Sequence, residues 1–197
     1  MRIIAGTHRG RRIASPEGES TRPLLDRVRE AVFSTLGERV EGADVLDLFA
    51  GSGAIGLECA SRGARSVRSV ERGAKALAVL KSNVAELGFG DVVRVVRGDA
   101  LAPKSWHDAD APDMRYSLAF LDPPYPMIVD PKDRAAVLAA IQALFERALA
   151  PEGLLVVHVP ARESETLRLP RALDRDVRLY GTSAIVYVTR ASASGRS

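Results

Sequence analysis

Residues 45–56 read Val45-Leu46-Asp47-Leu48-Phe49-Ala50-Gly51-Ser52-Gly53-Ala54-Ile55-Gly56, an apolar strand pattern that passes directly into a glycine-rich turn. Glycines permit a tight turn and let a ligand approach the backbone at the N-terminus of the next helix. The G-x-G-x-x-G spacing is a weak signal by itself, because dehydrogenases share it. The stretch therefore predicts a strand, a turn and a helix that together form a ligand-binding unit of an α/β fold.

Apolar strand patterns alternate with amphipathic helix patterns on the C-terminal side of residue 44. We predict strands at 44–49, 66–71, 92–97, 116–121, 153–159, 174–180 and 183–190, and helices at 53–62, 73–88 and 132–149. Such alternation requires a parallel sheet covered on both faces. The last two strands are joined only by Gly181-Thr182 and must form a hairpin, so one of them runs antiparallel to the rest.

The N-terminal region has a different pattern. Residues 2–5 and 10–14 read as two strands of a β-hairpin, and a helix capped by Asp26 follows and ends at Gly37 or Gly42. We therefore predict an N-terminal hairpin and helix extension over 1–40, a catalytic domain over 41–190 and a disordered tail over 191–197.

Composition restricts the function classes. Of 197 residues, 46% are hydrophobic and 27% are charged, and no apolar run reaches the ~20 residues of a membrane span. The single cysteine, Cys59, excludes an internal disulfide and a cysteine-built metal site, and we expect a cytoplasmic protein without metal. The net charge is +3, and the arginines concentrated in the first thirty residues make the hairpin either an ordinary solvated ribbon or an RNA-binding arm.

Carboxylate side chains lie at or near the ends of four predicted strands. Asp47 lies within the first strand, Glu71 ends the second, and Asp99 and Asp122 follow the third and fourth. The carboxyl edge of a parallel sheet is where ligands bind, so these residues are expected to converge there. Glu71 is placed to accept hydrogen bonds from ribose hydroxyls, which would suit NAD and S-adenosylmethionine (SAM) alike.

The sequence Asp122-Pro123-Pro124-Tyr125 ends the fourth strand. Two prolines donate no N–H and stop the strand, which leaves carbonyl groups free to accept hydrogen bonds. With a carboxylate before them and an aromatic ring after them, the site suits a planar base that carries an exocyclic amino group. The motif resembles the Asp/Asn-Pro-Pro-Tyr/Phe of amino-methyltransferases, and it favours SAM over NAD as the cofactor.

Two groups of motifs together resemble the RsmD family of bacterial 16S rRNA guanine-N2 methyltransferases. They are the N-terminal Arg2-Ile3-Ile4-Ala5-Gly6, His8-Arg9-Gly10-Arg11, Thr21-Arg22-Pro23 and Asp26-Arg27-Val28-Arg29-Glu30, and the core Asp47-Leu48-Phe49-Ala50-Gly51-Ser52-Gly53 and Asp122-Pro123-Pro124-Tyr125. The resemblance implies a Rossmann-like SAM methyltransferase fold with a seven-stranded sheet. It also implies transfer of a methyl group to the N2 of a guanine, by family resemblance guanine 966, in the 16S rRNA of the small ribosomal subunit or an assembly intermediate.

The resemblance also implies roles for individual residues. The catalytic set is Asp122, Pro123, Pro124 and Tyr125; the cofactor set is Asp47, Phe49, Gly51, Ser52, Gly53, Glu71, Asp99 and Ala100; and the RNA-binding set is Arg2, His8, Arg9, Arg11, Arg12, Arg22, Arg27 and Arg29. We expect a monomer. His158, within a predicted strand, reads as a hydrogen-bonded core or rim residue and not as a metal ligand.

Two alternatives remain open from the sequence. An adenine-N6 or protein-glutamine methyltransferase would share the Asp/Asn-Pro-Pro-Tyr chemistry, although Asp122 argues mildly against the glutamine enzymes, which usually carry Asn first. A non-catalytic RNA-binding factor could keep the fold, but the intact Asp122 and the intact glycine turn argue against it.

Overall fold

The computed structural model describes residues 1–16, 26–107, 111 and 113–191. Its strands are β1 (Asp44–Leu48), β2 (Ser66–Glu71), β3 (Val93–Arg97), β4 (Tyr116–Leu121), β5 (Leu149–Pro160), β6 (Leu173–Tyr180) and β7 (Ser183–Arg190). Its α-helices are α1 (Asp26–Leu36), α2 (Ala54–Ser61), α3 (Ala74–Glu86), α4 (Tyr125–Val129) and α5 (Pro131–Arg147). Of the predicted disordered tail, 191–197, Ala191 is described and donates its N–H to the Ala172 carbonyl at 2.9 Å, and residues 192–197 lie outside the described residues.

The seven strands form one sheet in the order β3-β2-β1-β4-β5-β7-β6. β1 pairs in parallel with β2 and β4, and β7 is antiparallel to both of its neighbours, β5 and β6. The predicted α/β fold with one reversed strand is therefore confirmed. The order changes direction at β1 and β4, which places the ends of these two strands beside a crevice where ligands of open α/β sheets bind.

One predicted boundary is wrong. The helix expected to continue to residue 149 ends at Arg147, and β5 begins at Leu149 instead of residue 153. Leu149 pairs with Tyr116, and the register shifts between Tyr116 and Leu118. Pro151 and Gly153 are typical of a loop, so the local pattern predicted a break here, and only the pairing with β4 extends β5 back to Leu149.

Both faces of the sheet are covered. Helices α1, α2 and α3 pack on one face through residues such as Val32, Leu57 and Leu80, whereas α4 and α5 pack on the other through Ile128 and Ile141. Strand residues alternate between the two faces because successive side chains point to opposite sides. No helix in the described part of the chain is long and apolar enough to cross a membrane.

The N-terminal segments pair as a hairpin, but over a shorter length than predicted. Arg2 and Arg12 form a single antiparallel bridge, flanked by the hydrogen bond from Ile3 N–H to Arg11 C=O at 2.9 Å. Ile3 and Ile13 are buried in the same core as α1 and α2. The hairpin is therefore attached to the main core.

Helix α2 holds the hairpin through Glu58. This carboxylate is fully buried and accepts the backbone N–H groups of Ile4 at 2.7 Å and Ala5 at 3.0 Å. At the hairpin tip, the N–H of Thr7 donates to the Ser61 carbonyl at 2.8 Å. The tip therefore lies at the C-terminal end of α2, beside the edge of the sheet where the parallel strands begin.

Candidate functional site

The carboxyl ends of three neighbouring strands meet at one edge of the sheet. The Asp122 N–H donates to the Leu48 carbonyl at 3.3 Å, which joins the end of β4 to the end of β1. The Ala50 N–H donates to the Val70 carbonyl at 3.1 Å, which joins the turn after β1 to β2. The glycine turn, Glu71 and Asp122 are thereby brought together, as predicted from the strand ends.

Asp47 is buried beneath the glycine turn. Its Oδ2 accepts the Gly56 N–H at 3.1 Å, and the Ser69 hydroxyl lies 3.5 Å away. Burial raises the pKa of Asp47 to about 7. The hydrogen bond from Gly56 opposes this rise, and the negative charges of Asp122 and Glu71 add to it. Asp47 therefore orders the turn from below, and its proton affinity depends on the carboxylates of the same edge.

The turn itself adopts left-handed backbone. Phe49 has a φ of +62°, which is uncommon for a side chain other than glycine and is typical of strained functional turns. Gly53 has a φ of +88°, and a Cβ there would lie 2.3 Å from Leu80 Cδ1. At Gly51, with a φ of +56°, a Cβ would meet nothing within 4 Å. Gly53 is thus needed for packing, whereas Gly51 borders open space.

Glu71 braces the other side of the turn. Its Oε2 accepts the Gly51 N–H at 2.9 Å and its Oε1 accepts the Gly73 N–H at 2.6 Å. Each carboxylate oxygen has two lone pairs, so each retains acceptor capacity for a ligand hydroxyl. Ser52 is also tied to the core, since its carbonyl accepts an N–H from Asn83 at 2.9 Å.

Asp99 and Ala100 follow β3 on the same edge. Asp99 is exposed, and its Oδ1 accepts the Leu101 N–H at 3.0 Å. The Ala100 carbonyl accepts the indole N–H of the fully buried Trp106 at 2.8 Å. The exposed Asp99 carboxylate therefore lies on a short loop that the buried Trp106 side chain holds in place.

The two prolines after Asp122 differ in their carbonyl partners. The Pro124 carbonyl accepts the Met127 N–H at 2.9 Å in the first turn of α4. No donor in the described part of the chain contacts the Pro123 carbonyl. Of the two proline carbonyls, that of Pro124 is therefore used within α4, whereas that of Pro123, a buried residue, has no donor among the described residues.

A hydrogen-bonded chain links the catalytic set to β5 and β7. His158 Nδ1 lies 2.7 Å from Asp122 Oδ1, and His158 Nε2 lies 3.2 Å from the Tyr125 hydroxyl. The Tyr125 hydroxyl also lies 2.9 Å from Ser183 Oγ. The expectation that His158 is a hydrogen-bonded residue is confirmed, and its partners are two residues of the predicted catalytic set. Within the described residues, no group of three or more His, Cys, Asp or Glu side chains is arranged to hold a metal ion.

The predicted RNA-binding residues lie in different environments. Arg2, Arg9, Arg11, Arg12 and Arg27 are exposed, and His8 is half-buried against Phe89, with ring centroids 4.3 Å apart. Arg22 lies outside the described residues. The expectation that Arg29 faces a ligand or solvent is wrong, because its side chain is 0% exposed and donates to the Arg2 carbonyl. Arg29 joins α1 to the hairpin.

Comparison with known proteins identifies the family of the chain. The family model described as "Conserved hypothetical protein 95" matches residues 1–189. The chain belongs to this family, the RsmD family. A relative in Bacillus subtilis, "Putative rRNA methyltransferase YlbH", is 40% identical over 125 residues, which are 64% of this chain and 67% of that protein.

Further RsmD family resemblance comes from Escherichia coli. "Ribosomal RNA small subunit methyltransferase D" is 37% identical over 125 residues, 64% of this chain and 60% of that protein. The match thus spans less than two thirds of that relative. The solved structure "Putative methyltransferase yhhF from Escherichia coli" aligns over 96% of this chain and 97% of its own, with 29% identity and a TM-score of 0.79. The Rossmann-like methyltransferase fold predicted from the sequence is confirmed.

Sequence reasoning missed three residues that position the RsmD family site or its hairpin. Ser183 contacts Tyr125, Asn83 contacts the glycine turn, and Glu58 holds the hairpin. Asn83 and Glu58 lie on predicted helices that are otherwise apolar on their buried side, and polar residues on such a side are a detectable signal. Ser183 had no such signal, because its role depends on which strands are neighbours.

Proposed function

We propose that this protein transfers a methyl group from SAM to the exocyclic N2 of a guanine in the 16S rRNA of the small ribosomal subunit, guanine 966 by family resemblance. The observation that carries the proposal is the position of Asp122, whose N–H donates to the Leu48 carbonyl at the end of β1, directly before the glycine turn. The names of the bacterial relatives, which refer to rRNA and to the small ribosomal subunit, support the substrate class.

The polar groups of the edge fit SAM. Gly51 borders open space where a ligand can approach the backbone. In the first turn of α2, Gly56 donates its N–H to Asp47 and Leu57 donates its N–H to Gly53, which leaves the N–H groups of Ala54 and Ile55 for a ligand carboxylate. The Glu71 carboxylate suits the ribose hydroxyls, and Asp99 suits an adenine amino group. Phe49, Ser52, Gly53 and Ala100 shape this site, and Asp47 orders its turn. When bound, SAM supplies an electrophilic methyl group on a sulfonium.

Asp122 and Pro123 would orient the nucleophile. The lone pair of an exocyclic amino group is delocalised into the ring, so the nitrogen is a poor nucleophile and must be held at the correct distance and angle. With one N–H donated to the Asp122 carboxylate and the other to the Pro123 carbonyl, the remaining lone pair is directed toward the methyl group. The methylated nitrogen is cationic and acidic, and Asp122 or water can accept its proton.

Tyr125 would stack on the base. The base must leave its own stack to reach this edge, which costs a few kcal/mol of unstacking free energy. The Tyr125 ring is half-buried, and its hydroxyl is held by His158 and Ser183, so the ring is ordered. Stacking on such a face offsets about 1–3 kcal/mol of that cost.

The exposed arginines of the hairpin would hold the RNA backbone. Arg2 and Arg12 lie opposite each other across the antiparallel bridge, and like charges in this arrangement repel. A phosphate group beside them would remove the repulsion. We therefore retain Arg2, Arg9, Arg11, Arg12 and Arg27 as proposed phosphate contacts, together with His8, and exclude Arg29.

The test is transfer of tritiated methyl groups from SAM to small ribosomal subunits isolated from a strain that lacks this gene, followed by nucleoside digestion. Label in N2-methylguanosine of the 16S rRNA is expected. Label on adenine or on a protein glutamine would overturn the proposed substrate. SAM binding by calorimetry without any label on subunits, free rRNA or ribosomal protein would favour a non-catalytic RNA-binding factor.

A further inference from the structure

We infer that His158 is a positioning residue that holds both Asp122 and Tyr125 for methyl transfer, with Ser183 fixing the tyrosine from its other side. This inference rests on the proposed function, because it assigns roles within the same site. His158 acts through its neighbours and needs no contact with the substrate. The site would accordingly require residues from β5 and β7 in addition to the motif that follows β4.

Strand register creates this arrangement. Leu121 pairs with Val157 in the parallel β4–β5 ladder, so the next residues, Asp122 and His158, are side by side. Ser183 pairs with Pro160 in the antiparallel β5–β7 ladder, two positions from His158. Because side chains alternate between faces, all three point to the face covered by α1 and α2. Tyr125, at the start of α4, contacts His158 and Ser183 through its hydroxyl.

His158 is buried, and both of its ring nitrogens contact residues of the site. His158 is 5% exposed and lines a small, mostly apolar recess with Val32, Ile55 and Ile185. Within the described part of the chain, its ring nitrogens have polar partners only in Asp122 and Tyr125. Burial of a polar group costs free energy unless the group is hydrogen-bonded. The two contacts of the His158 ring, with Asp122 and Tyr125, offset this cost.

The directions of the hydrogen bonds follow from the chemistry of the groups. An ionised Asp122 only accepts, so Nδ1 of His158 must carry the proton that it donates. In neutral His158, Nε2 is then an acceptor and the Tyr125 hydroxyl donates to it. The tyrosine oxygen can in turn accept from the Ser183 hydroxyl. In this arrangement the hydrogen bonds run from Ser183 through Tyr125 and His158 to Asp122.

Three substitutions separate the two contacts of His158. His158→Asn keeps a donor near the position of Nδ1 and loses the contact with Tyr125. His158→Gln places an amide near the position of Nε2 and weakens the contact with Asp122. His158→Leu removes both. Tyr125→Phe and Ser183→Ala remove the tyrosine contacts from the other side, and His107→Asn, outside the site, is the matched control.

The variants are compared in single-turnover methyl transfer to small subunits at saturating SAM and RNA, with SAM affinity measured by calorimetry. We expect His158→Leu to slow transfer about 10- to 100-fold, since small misplacements of reacting groups have effects of this size. His158→Asn and His158→Gln should each recover part of the rate, and SAM affinity should stay within about twofold of wild type in all variants. Transfer by His158→Leu within about twofold of wild type would overturn the inference, as would equal losses in all three variants.

Nuclear magnetic resonance provides a readout that is independent of activity. In protein with ¹⁵N-labelled histidine, the His158 signal, assigned by its absence in His158→Asn, should show a ring protonated at Nδ1. A ring protonated only at Nε2 would contradict the hydrogen-bonded chain. If wild-type protein transferred no methyl group to any RNA while this tautomer was observed, the proposed function would fail and the chain of hydrogen bonds would stand.

Discussion

Oδ2 of Asp47 lies 3.1 Å from the backbone nitrogen of Gly56, so a carboxylate that is 2% exposed fixes the helix that follows the glycine turn. The approach is close enough that a Cβ on Gly56 would lie 3.0 Å from this oxygen. A buried carboxylate is stabilised by such a donor but is still penalised when it ionises. This balance has a measurable consequence for stability.

Asp47→Asn should flatten the pH dependence of the free energy of unfolding. Burial raises the pKa of Asp47 in the folded protein to about 7, above the ordinary 3.8. The folded state therefore binds the proton more tightly, and wild-type stability should fall as the pH rises from about 4 to about 7, then level off. Asparagine keeps an acceptor for Gly56 and does not titrate.

Urea unfolding of both proteins at pH 5, 6, 7 and 8 would check this. The stability of the variant relative to wild type should increase across this range, by an amount on the order of a few kcal/mol at most. Because both proteins carry the same other carboxylates, the titration of those groups cancels in the difference between the two free energies of unfolding. Parallel stability curves for the two proteins would show that Asp47 is ionised without penalty.

Asp122→Ala should abolish methyl transfer and leave SAM binding intact, because Asp122 is assigned to the amino group of the substrate. We expect a loss of at least about 100-fold in single-turnover rate. Calorimetric SAM affinity within a few-fold of wild type would separate this loss from a damaged cofactor site. The matched control is Asp130→Ala, which removes a carboxylate that accepts the Lys132 N–H at the start of α5. Transfer by Asp122→Ala at a rate near that of wild type would exclude the assigned role.

Gly51→Ala and Gly53→Ala should have different effects. A Cβ at Gly53 would collide with Leu80 Cδ1, so Gly53→Ala should destabilise the fold by roughly 1–3 kcal/mol. A Cβ at Gly51 would point into open space, so Gly51→Ala should cost only about 1 kcal/mol of backbone strain but weaken SAM binding. Thermal unfolding and SAM calorimetry on both variants would test the contrast. Equal SAM affinity in Gly51→Ala and wild type would mean that the ligand does not approach there.

Glu58→Gln should loosen the hairpin. An amide N–H₂ in place of one carboxylate oxygen would face a backbone donor, either Ile4 or Ala5, and leave it unsatisfied. We expect a loss of about 1–3 kcal/mol and faster amide hydrogen exchange in residues 3–13. Glu86→Gln, which alters an exposed contact with Ser82, is the control and should change stability by less than ~0.5 kcal/mol. Unchanged exchange in the hairpin of Glu58→Gln would show that other contacts hold it.

Removal of Arg2 and Arg12 should reduce the salt dependence of RNA binding. If each contacts one phosphate, the double variant Arg2→Ala/Arg12→Ala should lower the slope of log K against log salt by about 1.4–1.8. Arg39→Ala/Arg171→Ala removes the same charge from two other exposed positions and is the control. Filter binding of 16S rRNA at several salt concentrations would measure both slopes. Equal slopes in the two double variants would indicate attraction by net charge alone.

Local sequence patterns were sufficient to predict most of the architecture. Strand and helix periods predicted the alternation of elements, because a strand repeats every two residues and a helix about every 3.6. The Gly181-Thr182 connection was too short for anything but a hairpin, and it therefore indicated the reversed strand before any pairing was known. Asp47, Glu71, Asp99 and Asp122 were grouped correctly, since parallel strands place all their carboxyl ends on one edge.

Contacts between distant segments depended on tertiary structure. The burial of Arg29 could not be predicted from the sequence, because the hairpin covers that side of α1 only in the folded protein. Likewise, the position of the hairpin tip at the amino edge of the sheet depends on its contact with Ser61 at the end of α2.

The sequence was sufficient to predict the chemistry proposed for the edge, because each motif contains its own turn, carboxylate or aromatic ring within a few residues. It was not sufficient to show what holds Asp122 and Tyr125 in place. His158 and Ser183 are 36 and 58 residues away from these partners along the chain. They become neighbours only through the register of β4, β5 and β7, and a shift of one residue would turn their side chains to the opposite face.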